Sequence, residues 1–274
     1  MKASILSSVL FAASVLAAPR GGHGLARRVA NRAGRLSNVA NVLGVAEAIK
    51  DGNATHVEYS SNWAGGVLTA PPAGETFNAV SGQFTVPTPS APPGGDGGSY
   101  SAAIWVGIDG DTYGNAILQA GVDITIDGSD SYSYDAWYEW YPNYAIDFST
   151  SSFSFSAGDV ISVSIKSSSS TRGTVVLENL STGQSVTQSV SAPSSSAKLG
   201  GQNAEWIVED FDEGGSQVAF ADFGTVLFTD CVASTGSTSE GTSGATILDI
   251  EDSDGNILTD TTIPSSSEVK IVYT

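Results

Sequence analysis

The chain has 274 residues, of which 29 are acidic and 11 are basic, so its formal net charge is −18 at neutral pH. It has one cysteine, Cys231, which excludes an intrachain disulfide and which we expect to be a small buried apolar residue. Both histidines, His23 and His56, lie in an N-terminal part that we expect to be removed. Catalytic groups of the Ser-His-Asp or Cys-His type and histidine-based zinc sites are therefore disfavoured in the remainder.

The first residues have the features of a secretory signal. The stretch MKASILSSVLFAASVLAAP combines one lysine, an apolar run and a small-residue exit near Ala17. We predict a signal peptide over residues 1–17, which is too short to span a membrane as a mature helix, and no later stretch reaches a spanning length. The protein is therefore expected to be secreted and extracellular.

Charge divides the rest of the chain into two parts. Residues 18–58 carry six basic and three acidic side chains, whereas residues 59–274 carry four basic and 26 acidic ones, a net charge of −22. So acidic a domain repels nucleic acids and anionic membranes, and its self-repulsion falls as carboxylates are protonated. We therefore expect neither nucleic acid nor membrane as a partner, and an acidic working environment. Acidity that serves solubility alone is the other possibility.

Residues 18–57 are predicted to be a propeptide that precedes a single domain at 58–274. Within it, residues 25–49 place apolar side chains near helical spacing with arginines between them, which predicts an amphipathic helix. A basic helix beside a strongly acidic domain favours a propeptide that covers the domain until acid weakens the attraction. A folding aid without an inhibitory role is the alternative.

After residue 58 the sequence consists of short alternating runs separated by glycine, serine, asparagine, aspartate and proline. Strands at this density without helices predict an all-β fold, an antiparallel two-sheet β-sandwich of the concanavalin A-like or jelly-roll type. We expect a monomer. Clear examples of polar residues alternating with β-branched or aromatic ones are SFSFS (152–156), VISVS (160–164), TVVLENL (174–180) and EVKIVY (268–273).

The stretch AILQAGVDIT, residues 116–125, carries polar groups where a strand face would otherwise be apolar. With the period of a strand, Leu118, Ala120 and Val122 point to one face, which we assign to the core. Gln119 and Asp123 point to the opposite face. An amide and a carboxylate on that face raise the possibility of a functional surface.

Two later stretches combine acidic with aromatic residues. In YDAWYEWYP, strand alternation puts Asp135, Trp137 and Glu139 on one face. In NAEWIVEDF, Glu205 and Glu209 share a face. An aromatic groove with a few placed polar groups fits an extended polymer, either a peptide or a glycan. Each residue also has a purely structural interpretation. A tryptophan could pack in the core, and an acidic residue could lie on a solvent-exposed strand face.

The sequence favours neither a metal site nor the chemistry of aspartic proteases. The loops DGDTYGN (109–115) and EDSDGN (251–256) space acids as calcium loops do, but both lack the full pattern and are explained as turns. Neither Asp-Thr-Gly nor Asp-Ser-Gly occurs. We therefore expect no metal and no cofactor. Of two glycosylation sequons, at Asn53 and Asn179, only Asn179 would remain after processing.

Several blocks of the chain resemble, in order, the glutamic peptidases, also called eqolisins. The resemblance covers nearly all of residues 57–260 and implies a secreted, acid-active, pepstatin-insensitive endopeptidase on a sandwich of two antiparallel sheets, acting on polypeptide substrates and bearing its own propeptide. The blocks that carry it are SNWAGGVL (61–68), WVGIDGD (105–111), AILQ (116–119), YDAWYEWYP (134–142), LENLSTGQ (177–184) and NAEWIVEDF (203–211).

The resemblance implies that Gln119 and Glu205 are the catalytic pair. A carboxylate can take a proton from the water that attacks the scissile carbonyl, and a neutral amide can donate to the resulting oxyanion at any acidic pH. Further residues in family-like blocks are expected to line or support the cleft, and Asp109 could either orient the pair or stabilise a turn. They are Trp105, Asp109, Asp123, Asp135, Trp137 and Glu139.

The sequence departs from the family at one point and leaves two other functions open. Family members have disulfides, and Tyr113 and Gly200 stand where one such pair would be. This departure bears on stability more than on catalysis. The alternative functions are a glycoside hydrolase with Glu139 and Glu205 as its two carboxylates, and a lectin-like or peptide-binding module.

Overall fold

A computed structural model describes residues 34–50, 53–128 and 131–274. The predicted signal peptide, and residues 25–33 of the predicted helix, lie outside these residues. Within the described ranges all regular structure is β-strand, and no helix there is long and apolar enough to cross a membrane.

The described residues form twenty strands, numbered in chain order. They are β1 (Arg35–Leu36), β2 (Val42–Lys50), β3 (Asn53–Ser60), β4 (Trp63–Leu68), β5 (Ala79–Thr85), β6 (Tyr100–Ile108), β7 (Ile117–Asp127), β8 (Ser131–Tyr141), β9 (Ile146–Asp147), β10 (Val160–Ser169), β11 (Arg172–Asn179), β12 (Gln184–Ser191), β13 (Ala204–Glu209), β14 (Asp212–Glu213), β15 (Ser216–Gln217), β16 (Thr225–Ser234), β17 (Ser239–Glu240), β18 (Thr246–Ile250), β19 (Thr259–Thr262) and β20 (Val269–Tyr273).

The strands form two large sheets that pack face to face. One has nine strands in the order β2-β3-β18-β4-β13-β6-β7-β8-β9, and the other has the order β12-β11-β10-β5-β16-β20-β19, with β17 paired to β16. A small third sheet has the order β1-β14-β15. Pairing is antiparallel, with one parallel pair between β3 and β18. The predicted all-β antiparallel sandwich is thus confirmed.

Strict alternation along the strands builds the core between the two sheets. The nine-stranded sheet contributes Leu118, Ala120 and Val122 of β7 to this core, and the other sheet contributes Ile161 and Val163 of β10. All five side chains are fully buried. Each such Leu, Ile or Val side chain contributes about 1.5–3 kcal/mol by leaving water. The assignment of this face of β7 to the core is therefore confirmed.

The opposite face of the nine-stranded sheet, which points away from the core, carries a second apolar cluster. Trp63, Trp105, Trp137 and Ile207 are fully buried there. Gln119 and Glu205 lie on this same face, because they alternate with core residues on β7 and β13. The sheet therefore has a buried aromatic and acidic surface that the sandwich core does not account for.

The helix predicted over residues 25–49 is wrong for the part that the structure describes. Residues 35–36 form β1, which pairs with β14, and residues 42–50 form β2, which pairs with β3. An isolated helix of this length is marginal in water, whereas the free edges of β14 and β3 supply main-chain hydrogen-bond partners. The β-branched Val42 and Val45 also suit a strand. Edge pairing therefore overrides the helical spacing of the apolar residues.

Three other residues from the sequence analysis have clear positions. Cys231 is fully buried, as predicted. The ring of Tyr113 lies on Gly200, where a Cβ atom would come within 2.8 Å of ring carbons, and the Tyr113 hydroxyl donates to the Lys198 carbonyl at 2.9 Å. An aromatic contact thus joins the two positions at which the resemblance to glutamic peptidases implies a disulfide in other members.

The second acid-glycine loop is a turn, and the first is a bend held by contacts with a distant loop. In the second, the Asp252 carboxylate accepts hydrogen bonds from the main-chain N–H groups of Asp254 and Asn256 at 2.9 and 2.8 Å. In the first, Asp109 accepts from the main chain of residues 200–203. Across the described ranges, no group of three or more His, Cys, Asp or Glu side chains is arranged to hold a metal ion.

Candidate active site

Strand register brings Gln119 and Glu205 to one place. Gln119 of β7 lies opposite Gly107 of β6, and Gly107 lies opposite Glu205 of β13. Directly paired residues of an antiparallel sheet point to the same face, at Cα separations of about 4.5–5.5 Å. The Cα atoms of Gln119 and Glu205 are therefore about 10 Å apart, with their side chains on one face and a glycine between them.

The polar atoms of this pair are buried but largely unpaired. Gln119 and Glu205 are both 0% exposed. One N–H of the Gln119 amide donates to Glu139 Oε1 at 3.2 Å, whereas Gln119 Oε1 and both carboxylate oxygens of Glu205 accept no hydrogen bond from described protein atoms. Because buried polar groups are normally satisfied, these three acceptors and the second amide N–H are suited to bind a ligand.

The environment of Glu205 favours its neutral form in this structure. Burial raises the pKa of Glu205 well above its ordinary value, and the negative charges of Asp109 and Asp111 act in the same direction. In water, the pKa of a glutamate is about 4.3. Glu205 is therefore protonated here at acidic pH, and its ionisation requires that water reach it.

Indole rings form the floor around the pair. Trp63 and Trp105 make an edge-to-face contact with centroids 4.9 Å apart, and Trp105 Nε1 donates to Glu209 Oε2 at 2.9 Å. Trp137 of β8 lies beside them in the same cluster. Burial raises the pKa of Glu209 to about 7, although Arg35 acts in the opposite direction.

Residues 34–41, here called the cleft segment, lie across this surface. The guanidinium of Arg35 is 1% exposed, pairs with both carboxylate oxygens of Asp123 at 3.0 Å, and reaches Glu139 Oε2 at 3.1 Å. It stacks 3.6 Å from the ring centroid of Trp137 and 4.7 Å from that of Phe211. One arginine thus fills a pocket that is lined by two carboxylates and two aromatic rings.

Main-chain hydrogen bonds hold the rest of the cleft segment in place. Two of its N–H groups donate to buried carboxylates: Ser37 to Glu139 at 3.2 Å and Asn38 to Glu209 at 3.0 Å. Further bonds join it to the main chain or side chains of Ala145, Gly110 and Asn62. Val39 and Ala40 of the segment pack on the tryptophan cluster. The segment therefore covers the cleft along its length.

The residues predicted from the sequence to line or support the cleft divide into four groups by position. Trp105 and Trp137 line the floor, and Asp123 and Glu139 hold Arg35. Asp135 lies opposite Asp123 on β8 and is half-buried. Asp109 is fully buried, and its carboxylate accepts four main-chain hydrogen bonds from residues 200–203, the loop that leads into β13. Its hydrogen bonds thus support the loop before Glu205.

A comparison with models of protein families identifies the family of this chain. The model of the Peptidase A4 family matches residues 61–273. The chain belongs to the Peptidase A4 family.

Individual members of this family are similar over most of their length. Aspergillopepsin-2 of Aspergillus niger is 45% identical over 287 aligned residues, which cover 98% of each chain. Scytalidopepsin B of Scytalidium lignicola is 42% identical over 236, covering 84% of this chain and 82% of its own. A crystal structure of scytalido-glutamic peptidase with a transition state analog inhibitor superposes with a TM-score of 0.68 at 38% identity, covering 78% of this chain and 98% of that one. The resemblance to glutamic peptidases is confirmed.

Sequence reasoning missed four residues of this Peptidase A4 site: Arg35, Gly107, Glu209 and Phe211. Arg35 was placed in a covering helix, and its partners are 88 and 104 positions away. Glu209 shares its strand face with Glu205, so period-two alternation contained the signal. For Gly107 the signal is a glycine inside a strand, which often marks a site where a ligand or another part of the chain comes close to the main chain. For Phe211 we find no local signal.

Proposed function

We propose that this chain is the precursor of a secreted, acid-active, pepstatin-insensitive endopeptidase in which Glu205 activates water and Gln119 stabilises the oxyanion. The observation that carries the proposal is the row Gln119–Gly107–Glu205, which puts an amide and a carboxyl group on one buried face with unpaired polar atoms. Family membership supports the class of reaction. Secretion is supported by the signal-like residues 1–17.

The proposed reaction needs one carboxyl group and one amide. Ionised Glu205 takes a proton from a water molecule as its oxygen bonds to the scissile carbonyl carbon. The carbonyl oxygen becomes an oxyanion and accepts a hydrogen bond from the free N–H of the Gln119 amide. The hydrogen bond from the other N–H to Glu139 fixes the orientation of this amide. Glu205 then returns the proton to the leaving nitrogen as the C–N bond breaks. The carboxylate is thereby regenerated for the next cycle.

The cleft segment is proposed to keep the precursor latent. It covers a catalytic pair that is 0% exposed, with no hydrogen bond from Gln119 or Glu205 to the segment among the described contacts. Latency then has two causes: substrate cannot enter, and burial holds Glu205 protonated. This arrangement favours an inhibitory propeptide over a folding aid alone, because a folding aid has no need to fill the cleft.

Acid is proposed to loosen the cleft segment by weakening the general attraction between the two oppositely charged parts of the chain. Residues 18–58 have a net charge of +3 and residues 59–274 have one of −22, and this attraction falls as exposed carboxylates are protonated near pH 4. The carboxyl groups of Glu139 and Glu209 do not drive the release. Burial raises their pKa, so their protonation favours the covered state in which they are buried.

The test measures cleavage of a denatured protein at pH 3–4 with pepstatin present. Precursors of the wild type, Gln119→Ala and Glu205→Gln are first exposed to immobilised wild-type enzyme, which is removed before the assay, so that processing does not depend on the variant. We expect both substitutions to lower kcat by on the order of 100- to 1000-fold or more. Matched controls are Gln188→Ala and Glu178→Gln on the other sheet.

Wild-type-like cleavage by either site variant would contradict the proposed mechanism. The same samples are tested on a polysaccharide, because the glycoside hydrolase alternative requires Glu139 and Glu205 and makes Gln119 replaceable. Hydrolysis of the polysaccharide but not of the protein would favour that alternative. Binding of either polymer without cleavage would favour a lectin-like module.

A further inference from the structure

Gly107 is the one residue that separates the two proposed catalytic side chains. It lies on β6, between Gln119 on one neighbouring strand and Glu205 on the other, in direct register with both. A side chain at this position would therefore project from the same face, between the amide and the carboxyl group. The adjacent residue of that face on β6, Trp105, carries the largest side chain in proteins and is fully buried.

The space above Gly107 is limited by functional atoms rather than by the main chain. A Cβ atom at position 107 would lie 2.6 Å from Oε1 of Glu205 and 2.7 Å from Cζ3 of Trp105. The nearby Gly121 differs, since its Cβ would meet the main-chain oxygen of Ile104 at 2.1 Å. Gly121 is thus required by backbone packing, whereas at Gly107 even a methyl group would contact the catalytic carboxyl group itself.

The groups around this space have the chemistry of a water site. Three buried acceptor atoms, Gln119 Oε1 and the two carboxylate oxygens of Glu205, are unpaired in the described protein, and the Gln119 amide has a free N–H. A buried water needs two to four such partners and about one probe sphere of room. A methyl group at position 107 would displace the Glu205 carboxyl group from its place beside Trp105 and so move two of these acceptor atoms.

We infer that Gly107 is a positioning residue for catalysis, because its missing side chain leaves room for the carboxyl group of Glu205 to lie on the same face as the Gln119 amide, where the two can hold the attacking water. The inference rests on the proposed function of these two residues and adds a requirement that neither supplies alone. With a methyl group at position 107, the carboxyl group of Glu205 is pushed aside and the water loses one of its partners. Substrate binding along the rest of the cleft is left in place.

The experiment compares Gly107→Ala with the wild type, both processed by immobilised wild-type enzyme. We expect kcat to fall by about 100-fold, the scale of a 1 Å misplacement of reacting groups, with KM nearly unchanged. The acidic limb of the pH profile of kcat/KM is expected to move to higher pH, because the methyl group desolvates Glu205. A purely structural defect would not shift this limb.

Two glycines serve as controls. Gly236→Ala adds a methyl group where nothing lies within 4 Å and should match the wild type. Gly82→Ala adds one 2.9 Å from Cδ1 of Trp206, inside the sandwich, so it should lower the melting temperature without moving the pH profile. Cooperative thermal unfolding of each precursor shows that it is folded.

A second pair covers the case in which Gly107→Ala does not fold. Trp105→Phe removes the indole atoms that the new Cβ would meet. The double variant Trp105→Phe/Gly107→Ala is therefore compared with Trp105→Phe alone. We expect the same loss of kcat and the same shift of the pH profile. A folded glycine variant with unchanged kcat would overturn the inference, as would failure of both glycine variants to fold. Full activity in Gln119→Ala or Glu205→Gln would instead overturn the proposed function.

Discussion

The guanidinium of Arg35 forms a two-pronged ion pair with the carboxylate of Asp123, with Nε to Oδ2 and Nη2 to Oδ1 both at 3.0 Å. The two residues are 88 positions apart and belong to the two parts of the chain that have opposite charge. Both are about 1% exposed. The general attraction between the basic residues 18–58 and the acidic residues 59–274 thus includes a specific, desolvated contact inside the cleft.

Removal of Arg35 should destabilise the precursor. In a Glu205→Gln background, which prevents self-processing under the proposed mechanism, Arg35→Ala leaves Asp123 and Glu139 buried without their cation. Breaking a buried ion pair from one side costs about 3–5 kcal/mol. We expect a loss of this size in the free energy of unfolding, measured by urea denaturation at pH 6.

The same substitution should weaken latency in the active background. The Arg35→Ala precursor is expected to cleave added substrate without a lag at pH 5–6, where we expect the wild-type precursor to show one. Arg35→Lys should lie between them, because lysine keeps the charge but not the planar fork. Arg172→Ala, at an exposed arginine of β11, is the control. An unchanged lag in Arg35→Ala would contradict the role of the pocket.

Most of the fold follows from local sequence rules, with two exceptions. Period-two alternation correctly predicts strands in stretches such as VISVS, but SFSFS (152–156) has the same alternation and lies outside every strand. The same rules fail at residues 35–49, where apolar residues near helical spacing predict a helix and β1 and β2 form instead. The reason is that β14 and β3 offer free edges there. β14 comes from residues far along the chain, and β3, which follows β2 directly, is itself held in the sheet by the distant β18, so the local pattern of apolar residues reveals neither edge.

Stability of the precursor should fall as the pH rises. Burial raises the pKa of Glu209 to about 7 and that of Asp210 to about 8. In the unfolded chain both groups ionise near pH 4, so above that pH the unfolded state holds fewer protons than the folded state and becomes favoured. The loss accumulates from about pH 4 to pH 7 for Glu209 and to pH 8 for Asp210.

Melting temperatures of the Glu205→Gln precursor between pH 4 and 8 measure this effect. We expect a steady decrease, which Asp210→Asn should flatten above pH 6 because an amide does not ionise. Asp254→Asn, at an exposed position, should leave the slope unchanged. A melting temperature that rises from pH 4 to 8 would contradict the buried, protonated state of these acids.

The candidate site was predictable in part. Strand alternation placed Gln119 and Glu205 on the face opposite the core, and the family resemblance assigned their roles. Neither source gives the register that puts Gly107 between them, because register is a property of paired strands. The position of Asp109 illustrates the same limit: its sequence context, an Asp before Gly110, indicates a turn but not the distant loop whose main chain it binds.

Asn179 should carry no glycan, although it lies in a sequon. Its side chain is fully buried, and Nδ2, the atom to which a glycan would be attached, donates to the Ser154 carbonyl at 3.2 Å and to Asp159 at 3.1 Å. Intact-mass measurement before and after endoglycosidase treatment tests this, with Ser181→Ala, which removes the sequon, as the reference. A mass shift that is lost in Ser181→Ala would contradict the buried position.

Asp109 should matter more for the folded state than any exposed aspartate. Its carboxylate accepts four main-chain N–H groups from residues 200–203, and its own φ of +70° lies in the left-handed region, which asparagine tolerates better than alanine. Asp230 has a similar φ of +50° but is exposed, so Asp230→Ala isolates the cost of the backbone conformation. Since each orphaned buried group costs about 1–3 kcal/mol, Asp109→Ala should lose at least about 3 kcal/mol more than Asp230→Ala in urea denaturation, with Asp109→Asn between them. Because the 200–203 loop leads into β13, kcat/KM should fall in the same order as stability. Equal stabilities for the two alanine variants would show that the four hydrogen bonds do not hold this loop.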